Sequence, residues 1–283
     1  MTNNEYKKIV KAVDKMPAFP NSVHQILALT SDINCPPKKL LNVVHHDPVL
    51  TLEILKIVNS HYFGLSESVV SINQAAVFIG YNTIKNLALG VAAMGILPKG
   101  KHAGLNMTKF LHHALATASI CRLFHRWSGG SEAEATSYFV AGLLHDVGKV
   151  VLAEHLPDVY EKAMTLSKSR NIALHLAEQM MLGMDHCDVG AMLAEKWSLP
   201  TDIVAAIGQH HEEQLTGVNS VRECVIAANT VAKKMALGDS GNPIIAPLPA
   251  EVESYFGRDI DALITALTPH KNELDDVRSF LQA

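Results

Sequence analysis

Histidine is frequent in this chain, with 15 His against 17 Gly, and several imidazoles stand beside one another or beside an acidic residue. Imidazole nitrogens and carboxylate oxygens are the ligands that bind zinc, iron, manganese and similar ions in proteins. The pattern therefore indicates a site for divalent transition metal ions. The clusters are His112-His113, His145-Asp146, His186 and His210-His211.

His145 and Asp146 fall where an apolar helix is expected to end and the VGK run begins. Neighbouring residues inside a helix diverge by about 100°, but the last residue of a helix can leave the helical path, so both side chains can reach one ion. The two carboxylate oxygens of Asp146 can also bridge two ions. Ligands that project inward from four helices build dinuclear sites in helical bundles.

Helix signals surround these clusters along the chain. Ser71 with Gln74, and Ser131 with Glu134, have the spacing of a capping box before an apolar run. Apolar residues recur three and four positions apart, and no sustained alternation of apolar and polar residues is flanked by hairpin turns. We therefore predict an all-α fold, in which an N-terminal helical bundle packs on a second helical bundle.

Two loop-like segments divide the sequence. PKGKHAG at 98–104 and GDSGNPIIAPLPA at 238–250 are rich in Gly, Pro or Lys. We expect an N-terminal helical bundle over 1–104 and a second bundle, which holds the His clusters, over 105–237. Residues 238–283 are expected to form a C-terminal helical appendage.

Composition excludes several classes of protein. Of 283 residues, 48% are apolar and 18% are charged, which is typical of a globular chain with a sizeable core. The net charge of −4 gives no overall excess of basic residues of the kind that nucleic-acid-binding proteins have. The longest apolar stretch, Leu87 to Leu97, has 11 residues, well short of the roughly 20 that a membrane span needs. The four Cys include no C-x-x-C pair, so a cytoplasmic protein with free thiols is expected.

Several segments resemble known families. HDVGK at 145–149, with an upstream His and a downstream His pair, is similar to the HD superfamily of metal-dependent phosphohydrolases. MPAFP (16–20), DPVLTLEILKIVNSHYFGL (47–65) and SINQAAVFIGYNTIKNLAL (71–89) resemble the HDOD domain, a bacterial signalling output module related to HD proteins. The resemblance covers roughly residues 10–235. It implies an all-helical fold and a role in signal transduction, with no settled activity.

Similarity to HD phosphodiesterases implies a ligand set and two catalytic candidates. Asp146 matches the bridging ligand, and Lys149 matches the motif lysine, which could contact a phosphate as a point charge. The final Asp of the HD pattern is replaced by Asn229, whose neutral amide is a weaker ligand. The implied metal ligands are His113, His145, Asp146, His186, His210, His211 and Asn229.

Two departures of this sequence from the HD-GYP pattern disfavour a cyclic-di-GMP phosphodiesterase of that type. No GYP motif follows HHEEQLTG, and Lys109 stands one turn before His113, where trinuclear HD-GYP sites have a Glu. The charge of Lys109 would repel a further cation.

Three functions remain open at this point. The first is a signalling output module that holds one or two divalent transition metal ions (Fe, Mn or Zn) and acts through a signalling protein partner. The second is a metal-dependent phosphohydrolase acting on a nucleotide or other phosphoester. The third is a structural adaptor whose His residues are relics. Metal content distinguishes the third from the other two, and phosphoester turnover distinguishes the second from the first.

Overall fold

The structure is a computed structural model that describes residues 3–18, 21–30, 36–59, 68–96, 103–131, 134–212 and 214–270. The described residues form helices and no β-strand, so the predicted all-α class is confirmed. No helix among them is both long and apolar enough to cross a membrane. Most of the predicted loop at 98–104 lies outside the described ranges, as do parts of the 16–20 and 47–65 segments.

Sixteen α-helices follow one another along the described residues. The N-terminal six are α1 (Asn3–Lys15), α2 (Asn21–Thr30), α3 (Pro37–His45), α4 (Pro48–Val58), α5 (Ile72–Ile79) and α6 (Tyr81–Ile96). Then come α7 (Met107–Trp127), α8 (Ala135–Leu144), α9 (Val147–His155), α10 (Pro157–Arg170), α11 (Leu174–Leu182), α12 (His186–Lys196), α13 (Thr201–Gly208) and α14 (Ser220–Lys234). The last are α15 (Ala250–Phe256) and α16 (Ile260–Leu267), followed by a 3₁₀ turn at Thr268–His270.

The Ser131–Glu134 capping box is complete, whereas the Ser71–Gln74 pair forms one of its two bonds, because Gln74 Oε1 accepts from the Val70 N–H instead. Ser71 Oγ accepts a hydrogen bond from the Gln74 N–H at 3.2 Å at the start of α5. Before α8, Ser131 Oγ accepts from the Glu134 N–H, and Glu134 Oε2 accepts from the Ser131 N–H, both at 3.3 Å. These bonds satisfy N–H groups that a helix start leaves without a partner.

Helix α7 packs on α8 and α14, and the buried apolar residues of the N-terminal helices and of the later helices form one cluster. Helix α1 packs on α9 and α12. Lys196 Nζ donates to three backbone carbonyls between residues 13 and 16, and the Trp197 indole N–H donates to the Pro17 carbonyl at 2.9 Å. The end of α12 therefore holds the C-terminal end of α1.

Gly148 allows α9 and α12 to approach closely. A Cβ at this position would lie 2.0 Å from the His186 carbonyl oxygen and 2.8 Å from the Gly190 nitrogen. Since backbone atoms occupy that space, any side chain at 148 would force the two helices apart. The close crossing brings Asp146, just before α9, beside His186 at the start of α12.

Residues 238–249, here called the strap, contain no helix and cross the second set of helices. Gly238 has φ +77°, and a Cβ there would lie 2.3 Å from the backbone nitrogen of His113 on α7. The Asp239 N–H donates to the Lys109 carbonyl at 2.9 Å. Asn242 Oδ1 accepts a hydrogen bond from the first residue of α11. The strap is thereby held against α7 and α11.

Candidate metal centre

Helix ends position most of the candidate ligands. His145 is the C-cap of α8, Asp146 is the N-cap of α9, and His186 is the first residue of α12. His113 lies inside α7. The His210-His211 pair is predicted to close a helix, but α13 ends at Gly208, so the pair lies in the following turn.

Four imidazoles surround the carboxylate of Asp146, and all five side chains are buried. On one side, Asp146 Oδ2 lies 3.3 Å from His145 Nε2 and 3.9 Å from His113 Nε2. On the other side, Asp146 Oδ1 lies 3.3 Å from His186 Nε2 and 3.5 Å from His210 Nε2. These are called the Oδ2 side and the Oδ1 side.

Hydrogen bonds at Nδ1 fix the orientation of three rings. His145 and His210 each donate from Nδ1 to the backbone carbonyl three residues earlier, at 2.8 Å. His186 Nδ1 donates to Glu178 Oε2 at 2.5 Å. Because these partners accept a proton from Nδ1, each ring in its neutral form carries its lone pair on Nε2, which faces Asp146. Outer hydrogen bonds of this kind orient histidine ligands in metal sites.

Several polar atoms at this site are buried without a hydrogen-bond partner in the described structure. They are His145 Nε2, Asp146 Oδ1, His186 Nε2 and His211 Nε2. Buried polar groups nearly always have a partner, so converging orphan atoms require an explanation. A divalent cation fits, because imidazole and carboxylate are its ordinary ligands.

The protonation states of His113, His210 and Asp146 suit a cation. His186, in contrast, must release a proton to bind one, because, despite burial, Glu178 raises its pKa well above the usual value. Burial lowers the pKa of His113 to about 3 and that of His210 to about 4, so both rings are neutral at neutral pH. Burial opposes the ionisation of Asp146, but His145 and Lys149 nearby hold the pKa of its carboxyl well below the usual value. Neutral imidazole and ionised carboxylate are the forms that bind metal.

The Oδ2 side contains groups that compete with a metal ion. Lys149 Nζ lies 2.7 Å from Asp146 Oδ2 and donates to the Ser240 carbonyl of the strap at 3.0 Å. His113 Nε2 lies 3.1 Å from Asn229 Oδ1 and donates its proton to that oxygen. The Lys149 ammonium and the His113 Nε2–H therefore occupy positions where a metal ion on the Oδ2 side would need two ligands. On the Oδ1 side the competitor is a proton on His186, whose pKa, despite burial, Glu178 raises well above the usual value, and a metal ion would have to displace it.

His211 belongs to a second group of possible ligands. Its ligand atom lies within 4.8 Å of those of His186, Cys187 and His210. The ring of His211 stacks on that of His175, with centroids 4.5 Å apart. Burial raises the pKa of Cys187 to about 12, so its thiol is protonated in the described structure.

A cavity of about 300 Å³ opens beside the centre. Its walls come from α11, α14, the strap and the turn after α13. Residues of the centre that line it are His210, His211 and Asn229. A small molecule can therefore approach the candidate ligands from this cavity.

Residues 16–213 match the HDOD domain family. The chain belongs to the HDOD family. The match ends before α14, so Asn229 and the strap lie outside the matched residues of this HDOD protein.

Solved structures share this fold. The HDOD protein is 23% identical to an HDOD domain protein of unknown function from Geobacter sulfurreducens, with a TM-score of 0.80 over 98% of this chain and 96% of that one. A Shewanella amazonensis SB2B protein provisionally named a phosphohydrolase is 21% identical, with a TM-score of 0.71 over 96% and 98%. At these identities the likeness shows the fold alone.

One curated relative is an uncharacterized protein of Treponema pallidum (strain Nichols). It is 26% identical over 203 residues, which are 72% of this HDOD protein and 39% of that relative. The chain thus spans about two fifths of the length of the curated relative it matches.

Sequence motifs do not predict every residue at the centre. Glu178 on α11 is fully buried and binds His186, yet it stands in no motif. Ser240 contributes only a backbone carbonyl, which no side-chain pattern can reveal. His175 has no partner in sequence, so it is predicted to be structural, but it lines the cavity beside His211. The one available signal is a Glu within the apolar run of α11.

Proposed function

We propose that this HDOD protein is a cytoplasmic signal-transduction output module that holds one divalent transition metal ion (Fe, Mn or Zn) and acts through a protein partner. The observation that carries the proposal is the set of buried, unpartnered atoms around Asp146. The proposed ligands are His186, His210 and Asp146 Oδ1, with His211 adjacent. Lys149 and Asn229 weaken the case for a second ion on the Oδ2 side.

Exposed apolar side chains on the N-terminal helices support a role in protein contacts. Val49 and Leu52 on α4 are 71% and 56% exposed, and Val77 and Phe78 on α5 are 83% and 53% exposed. Helices α4 and α5 pack on each other. Exposed apolar residues on two neighbouring helices are consistent with an interaction surface.

Elemental analysis of protein purified without an affinity tag tests the metal. We expect about one equivalent of a first-row transition metal per chain, and loss of most of it in His186→Ala. His46→Ala, at the exposed end of α3, is the matched control and should retain the metal. Near-zero metal in the wild type, with no uptake on reconstitution, contradicts the proposal.

The role in signalling needs a separate test. Val77→Glu and Phe78→Glu place charge on the exposed face of α5 and should abolish the signalling output in cells. Metal content should stay unchanged, because α5 packs on α3, α4 and α6, none of which carries a proposed ligand. An output that survives both substitutions contradicts a partner surface on α5.

The second candidate is a metal-dependent phosphohydrolase, which the cavity beside the centre favours. A bound metal would supply Lewis-acid stabilisation of charge on a phosphoester. In this role Asp146 would hold the ion, and Lys149 would exchange its contact with Asp146 for one with the phosphate. Turnover of bis(p-nitrophenyl) phosphate that is lost in Asp146→Asn would favour this candidate. Metal-loaded protein without turnover would favour the output module.

A further inference from the structure

Two of the candidate ligands lie in a turn between helices and not in a helix. His210 and His211 follow the end of α13 at Gly208. The Glu212 N–H donates to the Gln209 carbonyl at 3.1 Å, so residues 209–212 close a turn with both imidazoles at its centre. A turn has fewer internal hydrogen bonds than a helix, so a ligand that it carries needs support from other parts of the chain.

That support reaches the turn through its first residue. The Gln209 N–H donates to the Ala205 carbonyl in α13 at 3.0 Å. The side-chain oxygen of Gln209, Oε1, accepts a hydrogen bond at 3.0 Å from Nη1 of Arg222 on α14. The next residue, His210, donates from its ring to the Ile207 carbonyl. The start of the turn is thus tied to two helices, α13 before it and α14 beside it.

The buried side chain of Arg222 binds both ends of the segment that joins α13 to α14. Besides Gln209 at the start, it binds two backbone carbonyls near the end. Nη1 donates to the Thr216 carbonyl at 3.4 Å, and Nη2 donates to the Gly217 carbonyl at 2.8 Å. One rigid, planar guanidinium therefore fixes the start of the segment relative to its end.

The charge of Arg222 is balanced by a carboxylate that is also buried. Nη2 donates to Glu223 Oε1 at 2.8 Å, and the same oxygen accepts the N–H of Asn219, the N-cap of α14, at 3.3 Å. Removing two charges from water offsets most of their attraction, so a buried ion pair adds little net stability. This pair is therefore better suited to fix the position of the groups it binds than to stabilise the fold.

We propose that Arg222 is a positioning residue of the candidate metal centre. It acts through Gln209 and holds the His210-His211 turn in the geometry that binds metal. The proposal deepens the proposed function and rests on it for the metal, whereas the effect on the turn does not depend on the metal. Arg222 lies on α14, beyond the residues that match the HDOD family, and stands in none of the motifs of the sequence analysis.

Zinc affinity of the full chain, measured by competition with a chromophoric chelator, tests the proposal. Gln209→Ala removes one bond and leaves Arg222 its bonds to the carbonyls and to Glu223, so no buried charge loses its partner. It should bind zinc about tenfold more weakly than the wild type, as is typical when a group that orients a metal ligand is lost. Gln214→Ala is the matched control, because Gln214 is exposed and also lies between α13 and α14. It should bind as the wild type does, and equal affinities for Gln209→Ala and the wild type overturn the proposal.

A double-mutant cycle separates positioning from a general loss of stability. Arg222→Lys keeps a cation beside Glu223, but an ammonium cannot present the planar fork that reaches Gln209 and the backbone carbonyls together. It should also weaken zinc binding by at least about tenfold. In the Arg222→Lys protein, Gln209→Ala should weaken zinc no further, because the contact is already lost. A further loss of about tenfold there would mean that the two residues act independently, and it overturns the proposal.

Hydrogen exchange of the metal-free proteins distinguishes a failure of this proposal from a failure of the metal proposal. Gln209→Ala should speed amide exchange at residues 209–212 by about tenfold and leave α10 unchanged. A wild type that binds no zinc contradicts the metal centre, and faster exchange at 209–212 in Gln209→Ala would still support the hold of Arg222 on the turn. Unchanged zinc affinity and unchanged exchange in Gln209→Ala overturn the role of Arg222 and leave the metal centre intact. Should Arg222→Lys fail to fold, the affinity and exchange of Gln209→Ala decide.

Discussion

Glu178 Oε2 accepts two hydrogen bonds from His186, one from its backbone N–H at 2.9 Å and one from its ring Nδ1 at 2.5 Å. Both side chains are fully buried. Burial alone would lower the pKa of His186, but Glu178 raises it well above the usual value. The carboxylate therefore fixes both the start of α12 and the ring whose Nε2 faces Asp146.

Glu178→Gln should lower metal affinity by about tenfold to a hundredfold, because a neutral amide orients and polarises the imidazole less strongly than a carboxylate. Competition with a chromophoric chelator measures this affinity. Glu195→Gln, on the exposed face of α12, is the matched control and should bind metal as the wild type does. Equal loss in both variants would mean that Glu178 acts only on helix stability.

Metal-free protein should become less stable as the pH falls from 7 to 5. Burial lowers the pKa of His113 to about 3 and that of His210 to about 4, and the pKa of His211 lies well below its usual value. The unfolded chain takes up these protons near pH 6.5, whereas the native site does not until about pH 4 or below. Protonation thus favours unfolding, by at least about 2 kcal/mol at pH 5.

The opposite shift at His186 reduces this effect without reversing it, since one raised pKa opposes three lowered ones. Urea unfolding at several pH values, in the presence of a chelator, measures the slope. His210→Gln should flatten it, because one of the contributing imidazoles is removed. A slope that is zero or of opposite sign would contradict neutral, buried imidazoles in the metal-free fold.

Gly148→Ala should destabilise the protein by about 1–3 kcal/mol and release the metal, because the new methyl group would meet the His186 carbonyl. Gly208→Ala is the control, since a Cβ there would meet only the Ala191 methyl at 3.2 Å. Thermal unfolding and metal content should be measured on both. Retention of full metal content in Gly148→Ala would show that the α9–α12 crossing tolerates expansion.

Asn229→Asp should raise the metal stoichiometry from one toward two per chain, because a carboxylate beside His113 adds the charge that the Oδ2 side lacks. Asn171→Asp adds the same charge at the exposed rim of the cavity and should leave the stoichiometry at one. Unchanged stoichiometry with a lower melting temperature in Asn229→Asp would mean that an unpaired charge has been buried instead.

Sequence reasoning predicts the all-α fold well, because the helix starts depend on local chemistry. The Ser131–Glu134 box is read from neighbouring residues, and it is present. The HDOD resemblance is likewise confirmed, because its motifs lie in continuous segments.

The residues that contact the candidate ligands and hold them in place are not predictable in the same way. Glu178 reaches His186 only because α11 turns back beside α12, and Lys149 meets Ser240, 91 residues away, only because the strap returns to the site. Lys149 as a phosphate contact stays a prediction, and in this structure its ammonium lies 2.7 Å from Asp146 Oδ2. Such contacts depend on tertiary packing, and no spacing rule encodes them.

Helix α12 begins at His186 and ends at Lys196. Lys196 and the next residue, Trp197, donate hydrogen bonds to backbone carbonyls at the C-terminal end of α1 and just after it. Its 11 residues span about 16 Å, short enough for the helix to move as a rigid rod. A candidate metal ligand at its first residue and the hydrogen bonds to α1 at its last residue therefore belong to one rigid element, which links the buried centre to the N-terminal helix.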